Sequence, residues 1–137
     1  MTESKTLAQL EAIDQKLPMS RRDKLLHFAA IVQRLNSTQW YLLHKHMHLE
    51  SKSTKVLRAV DARDSVLGLA LTDPVFQEAG ITGTTIGGVI DFLDITRHEM
   101  HSFACGCHNH NQSGVVDQVK HLASVNRPKG FFGWLLD

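Results

Sequence analysis

Cysteine and proline are scarce in this chain of 137 residues, which contains two cysteines and three prolines. Cys105 and Cys107 cannot supply the crosslinks of a disulfide-rich secreted fold, and a bridge between residues so close in sequence would be strained. The few prolines and nine glycines exclude a collagen-like chain and argue against a disordered one. We therefore expect a globular protein in which both cysteines are thiols.

The chain also lacks a strong charge of either sign and a long apolar run. Fifteen Lys+Arg and fourteen Asp+Glu leave a formal charge of +1, so we expect no nucleic acid partner. No stretch reaches the ~18 apolar residues of a membrane span, and the opening residues MTESKTLAQLEAIDQKL have no secretory signal pattern. These absences predict a cytoplasmic protein with no membrane contact.

Apolar residues recur at three- and four-residue steps along most of the chain, which is the period of a helix. No segment alternates as a strand bounded by hairpin turns does. The pattern predicts an all-α fold, a compact single domain over residues 1–137 with about five or six helices. The longer predicted helices cover Leu7–Leu17, Ser20–Leu35, about Thr38 to Glu50–Ser53, Ser53 or Thr54 to about Leu71, about Thr84 to Phe103, and Val115 to about Val125. A short helix is predicted at Pro74–Ala79.

Turn-forming residues mark several of these boundaries. Ser20 precedes Asp23 by three positions, which approximates a capping box. Asp73 before Pro74 predicts a helix start, and Gly80 predicts its end. The segment 82–84, Thr-Gly-Thr, predicts a turn, and the apolar tail at 128–137 is expected to dock onto the rest of the protein.

Potential metal ligands are concentrated in HEMHSFACGCHNH, residues 98–110, which holds four histidines, two cysteines and a glutamate in thirteen positions. Imidazole nitrogen and thiolate sulfur are the donors that zinc prefers, and they also suit iron. The segment therefore predicts a transition-metal site, with zinc or iron as the expected ion. Three or four ligands are expected from the set His98, His101, Cys105, Cys107, His108 and His110.

Helical geometry adds detail to this prediction. Positions 91, 94, 98, 101 and 105 advance by alternating steps of three and four, so on one continuous helix Asp91, Asp94, His98, His101 and Cys105 would share a narrow stripe. A second stripe, nearly opposite, is apolar and suited to face the core. It consists of Val89, Leu93, Thr96, Met100 and Phe103.

A second histidine-rich stretch, WYLLHKHMHLE, could complete the site. His44 and His48 lie four residues apart and flank a predicted core stripe of Trp40, Leu43 and Met47. Ligands from facing helices are a common arrangement in helical bundles. The alternative is that both histidines simply pack beside the tryptophan.

The pattern does not identify the ion or the role of the site. Two C-x-x-C pairs and the C₂H₂ arrangement are absent, and the segment CGCH differs from the C-x-x-C-H of haem attachment. The 98–110 cluster could also be a polar helix end or a loop that binds metal only adventitiously. Elsewhere, Asp61 and Asp64 could form a carboxylate site, but Arg58 and Arg63 favour a solvated salt-bridge surface.

Three functional hypotheses follow. The first is a metal-binding sensor, regulator or metal-handling protein with a closed thiolate site. The second is a metalloenzyme with one open coordination position and Glu99, Asp94 or an unligated histidine as general base. The third is a helical interaction module that uses the apolar tail, and this tail with the glycine-rich start of the 84–103 helix would also suit a homodimer.

Overall fold

Helices make up most of the structure, a computed structural model that describes residues 19–44, 53–104 and 111–125. This part of the chain contains no strand, which confirms the all-α prediction at that level. None of its helices is long and apolar enough to cross a membrane. The helices are α1 (Arg21–Gln33), α2 (Ser37–His44), α3 (Thr54–Ala59), a 3₁₀ turn (Val66–Gly68), α4 (Leu69–Thr72), α5 (Pro74–Ala79), α6 (Ile86–Leu93), α7 (Arg97–Ala104) and α8 (Gln112–Ser124).

The longest described helices, α1 and α8, pack together in antiparallel fashion. The side-chain amide of Gln112, at the start of α8, donates hydrogen bonds to the carbonyls of Val32 and Leu35 at the end of α1, both at 2.8 Å. At the other end, the guanidinium of Arg21 donates to the carbonyl of Leu122 at 2.9 Å. Carbonyls at or near the C-terminal end of each helix therefore accept hydrogen bonds from a side chain of the other helix.

The core is apolar and draws on nearly every described element. Leu25, Phe28 and Val32 form the core face of α1 and are completely buried. In α2, Trp40 and Leu43 pack against the core while remaining partly exposed. The largest completely buried side chains are Phe28, Phe76, Phe103, Leu25, Leu57, Leu67, Ile86, Ile90, Leu93, Met100 and Val32.

The single helix predicted from Ser53 or Thr54 to Leu71 is wrong. Helix α3 ends at Ala59, and the next residues pair with the segment that leads into α6. The amide of Ile86, the first residue of α6, donates to the Val60 carbonyl, and the Ala62 amide donates to the Thr84 carbonyl, both at 2.8 Å. This pairing draws the backbone out of the helix. The chain becomes helical again only at the 3₁₀ turn and α4.

The shorter elements predicted from turn residues are confirmed. Asp73 caps α5 by accepting a hydrogen bond from the Phe76 amide at 3.1 Å, and Gly80 ends that helix in a left-handed conformation with φ 109°. Gly83 also has a positive φ, of 80°, within the predicted turn. Ser20 caps α1 as expected, and α8 covers the predicted last helix.

The long helix predicted from Thr84 to Phe103 is also wrong, because it divides into α6 and α7 at Asp94. Asp94 adopts the left-handed conformation, with φ 57° and ψ 49°. Its amide bonds to the Asp91 carbonyl, and the Ile95 amide bonds to the Ile90 carbonyl, both at 3.2 Å. This is the Schellman pattern that ends helices, and burial of Ile95 holds the turn in place.

Arg21 connects the start of α1 to this turn and to α8. Its Nε donates to the Asp94 carbonyl, one terminal nitrogen donates to the Leu122 carbonyl, and the other binds the Glu99 carboxylate, each at 2.9 Å. The Arg21 side chain is only 13% exposed. A planar guanidinium satisfies acceptors in several directions, which a lysine ammonium cannot do in the same geometry.

Replacing Arg21 is therefore expected to be costly. Arg21→Met leaves the Glu99 carboxylate and two carbonyls without their donor, so the free energy of unfolding should fall by about 2–4 kcal/mol. Arg21→Lys should lose most of the same amount. Urea unfolding would measure both, with the neighbouring exposed Arg22→Met as a control expected within about 0.5 kcal/mol of the parent. Equal losses at both positions would contradict this role for Arg21.

The left-handed turn gives a second prediction. Asp94→Ala should be less stable than Asp94→Gly by about 1 kcal/mol, because alanine is disfavoured at positive φ and glycine is not. Asp117, an exposed residue inside α8, provides the opposite control. There the alanine variant should be the more stable one by about 1 kcal/mol. The same ranking at both positions, measured by thermal unfolding, would argue against the helix end at Asp94.

Candidate functional site

Of the six ligands predicted between residues 98 and 110, two lie within the described residues, and both are on helix α7: His98 and His101. His98, in the first turn, is exposed, and His101, one turn later, is partly buried. Met100, Phe103 and Ala104 of the same helix are completely buried. The apolar stripe predicted from the sequence is thus confirmed as the core side of this region, and neither histidine belongs to it.

A capping box fixes the start of α7. The Thr96 hydroxyl accepts a hydrogen bond from the Glu99 amide at 3.0 Å, and a Glu99 carboxylate oxygen accepts one from the Thr96 amide at 2.9 Å. The other Glu99 carboxylate oxygen binds Arg21. Such reciprocal bonds satisfy amides that a helix start leaves without partners. Glu99 thus stabilises the start of the helix that carries the histidines.

His101 is already engaged by a cation on its own helix. The Nε–H of Arg97 donates a hydrogen bond to Nε2 of His101 at 3.0 Å. A guanidinium has only donors, so Nε2 must be the acceptor and the neutral imidazole must carry its proton on Nδ1. A metal ion bound at Nε2 would need this same lone pair.

The two aspartates predicted to continue the ligand stripe are not on one helix with the histidines. Asp91 lies on α6, where its carboxylate binds the Arg58 guanidinium at 2.6 Å. Asp94 forms the turn after α6, and its carbonyl accepts a hydrogen bond from Arg21. The single stripe of positions 91, 94, 98, 101 and 105 is therefore wrong, because it assumed a continuous helix.

His44 ends α2 and packs on the tryptophan one turn earlier. The rings of Trp40 and His44 are stacked, with centroids 5.0 Å apart and an interplanar angle of 22°. Nδ1 of His44 is buried and has no hydrogen-bond partner among the described residues. This contact with tryptophan is the alternative that the sequence left open for His44.

The other predicted ligands lie outside the described residues. They are His48, Cys105, Cys107, His108 and His110. The predicted helix at 7–17 and the apolar tail at 128–137 also lie outside them. Within residues 19–44, 53–104 and 111–125, no three His, Cys, Asp or Glu side chains are grouped so that they could hold a metal ion.

Two other polar contacts concern residues that the sequence had singled out. A carboxylate oxygen of Asp73 lies 2.8 Å from Nε2 of the partly buried His27. Arg63 binds both carboxylate oxygens of Asp61, and these hydrogen bonds lower the pKa of Asp61. The salt-bridge interpretation of that surface is therefore confirmed for this pair.

Sequence reasoning missed the contacts that organise α7. Arg21 is 78 residues from Glu99 and 101 from Leu122, and no local pattern indicates such pairs. The capping box had a visible signal, since Thr96 and Glu99 show the S/T-x-x-E spacing. The Arg97 and His101 pair had one as well, in its four-residue helical spacing.

Comparisons with protein-family models, with curated proteins and with solved structures find no match to this chain.

Proposed function

We propose that this protein binds a transition-metal ion, zinc or iron, through His98 and a subset of His101, Cys105, Cys107, His108 and His110. The observation that supports the proposal best is the placement of His98 and His101 on α7. Both lie away from the buried side of the helix, one turn apart, and the chain passes from the end of α7 directly into the segment 105–110. Histidines one turn apart can contribute to one ion.

The rigid start of α7 also favours a binding role. A ligand helix serves best when its orientation is fixed before the ion arrives, since ordering during binding lowers affinity. The Thr96 and Glu99 capping box, together with Arg21, anchors the helix within three residues of His98. These hydrogen bonds therefore fix the backbone that carries His98, while the His98 side chain remains exposed.

The proposed role is that of a sensor, regulator or metal-handling protein. Thiolate ligands favour closed sites, and both thiols must lose their protons to bind, so occupancy would depend on pH and on oxidants. A reducing cytoplasm would keep the thiols available. A metalloenzyme is less favoured, because both carboxylate oxygens of Glu99 are already hydrogen bonded.

One observation favours a second candidate function, an interaction module. Helix α2 exposes two adjacent large apolar residues, Tyr41 at 65% and Leu42 at 49%. Neighbouring exposed apolar side chains are typical of partner surfaces, including contacts between identical chains. This feature is independent of the histidines, so both functions could coexist.

Metal binding is testable on protein purified without a histidine tag or added metal. We expect stoichiometric zinc or iron by elemental analysis. Cobalt titration should give sulfur-to-cobalt charge-transfer absorption, because thiolates are among the proposed ligands. A Cys105→Ser/Cys107→Ser variant should lose this absorption, and His98→Asn should weaken binding by roughly tenfold or more.

His121→Asn is the matched control, since His121 is an exposed histidine on α8. It should bind cobalt as the parent does. Absence of bound metal, together with a melting temperature that zinc and iron leave unchanged, would refute the proposal and leave the interaction module as the better explanation.

A further inference from the structure

The two histidines of α7 differ in their surroundings, and this difference bears on how an ion would be bound. The His98 side chain is exposed and makes no hydrogen bond with the described residues. His101 is partly buried, and its Nε2 accepts the hydrogen bond from Arg97. One imidazole is therefore open to an incoming ion, whereas the Nε2 of the other is occupied.

Arg97 and a metal ion cannot use Nε2 of His101 together. This nitrogen has one lone pair, directed at Nε of Arg97, which lies 3.0 Å away. A zinc–nitrogen bond requires the metal at about 2.0–2.1 Å along the same direction, which would bring it against the guanidinium. The two are also both cations, so their repulsion in a partly buried place adds to the steric conflict.

We propose that Arg97 blocks His101 until it is displaced, so that this arginine lowers the metal affinity of the site and sets the order in which its ligands bind. The inference rests on the proposed metal-binding function and concerns the regulation of the same site. His98 binds the ion first. His101 joins only after the Arg97 side chain has rotated away from Nε2.

In this proposal Arg97 is a positioning residue, and its removal changes the metal affinity in the opposite direction from the removal of a ligand. Removing a ligand weakens binding, whereas removing Arg97 should strengthen it. The contact also fixes the ring tautomer, since an accepting Nε2 places the proton on Nδ1. This second property can be measured without any metal.

The test compares zinc affinity, by competition with a chelator, in the parent and in Arg97→Gln. Loss of one charge-assisted hydrogen bond should tighten binding by about tenfold. In a His101→Asn background, Arg97→Gln should leave the affinity unchanged, because the residue through which it acts is absent. Arg97→Lys, which keeps the charge without the Nε donor, should fall between the parent and Arg97→Gln.

Lys55→Gln is the control for general charge, because it removes one positive charge from an exposed position on α3. It should not change zinc affinity. Nitrogen-15 spectra of the metal-free proteins should show the Nδ1–H tautomer of His101 in the parent and a shift towards Nε2–H in Arg97→Gln. Circular dichroism would confirm that each variant remains helical.

The outcomes separate the two proposals. If the parent binds zinc and Arg97→Gln binds it equally or more weakly, the blocking role is refuted while metal binding stands. A gain that persists in the His101→Asn background, or an Nε2–H tautomer in the parent, also refutes it. If neither the parent nor Arg97→Gln binds zinc or iron, the proposed function itself fails, and the regulation of the site fails with it.

Discussion

The contacts of the Arg21 guanidinium organise the part of the protein in which the candidate ligands lie. Its donors reach the turn between α6 and α7, the carboxylate of Glu99 and the last carbonyls of α8. Burial of an arginine stabilises a protein only when its acceptors are well placed, because desolvation of the charge opposes the gain. Here the acceptors belong to the turn after α6, to α7 and to α8, all of which are far from Arg21 along the chain. The Arg21 side chain therefore fixes their positions relative to α1. The orientation of α7, and with it of His98, depends on this contact.

The helix end at Asp94 shows which features helical periodicity predicts and which it does not. Val89, Leu93, Met100 and Phe103 are all buried as predicted, since the turn between α6 and α7 keeps both apolar sides on the core. The same periodicity did not reveal the helix end at Asp94. This residue adopts the left-handed conformation that ends a helix, but the usual sequence signal for that conformation is a glycine. The apolar pattern therefore predicted which residues are buried but not where the backbone turns. The sequence similarly predicted α5 from its cap residues, whereas the extended segment at 60–62 depends on pairing with residues further along the chain.

The candidate site was only partly predictable for related reasons. That His98 and His101 avoid the core follows from their positions relative to Met100 and Phe103, and helical spacing is enough to derive it. Which of the two is open to an ion does not follow from that spacing, since it depends on the side-chain conformation of Arg97. The contact of Glu99 with Arg21 could not be predicted either, because Arg21 lies on a different helix. Composition thus suggests the chemistry of the segment, and side-chain hydrogen bonds, one local and one long-range, decide which groups remain available for it.

These features together suggest a site in which fold stability and ligand availability are set by different residues. Arg21 and Thr96 hold the start of the helix through their hydrogen bonds with Glu99, while the His98 side chain is exposed. Arg97 lies on the same turn as His98, and its contact with His101 is separate from the hydrogen bonds of the capping box. A metal site with this division can change its ligand set while its backbone stays in place. Under the proposed function, a change in histidine ligation would adjust metal affinity without altering the two sulfur donors that the chain contains.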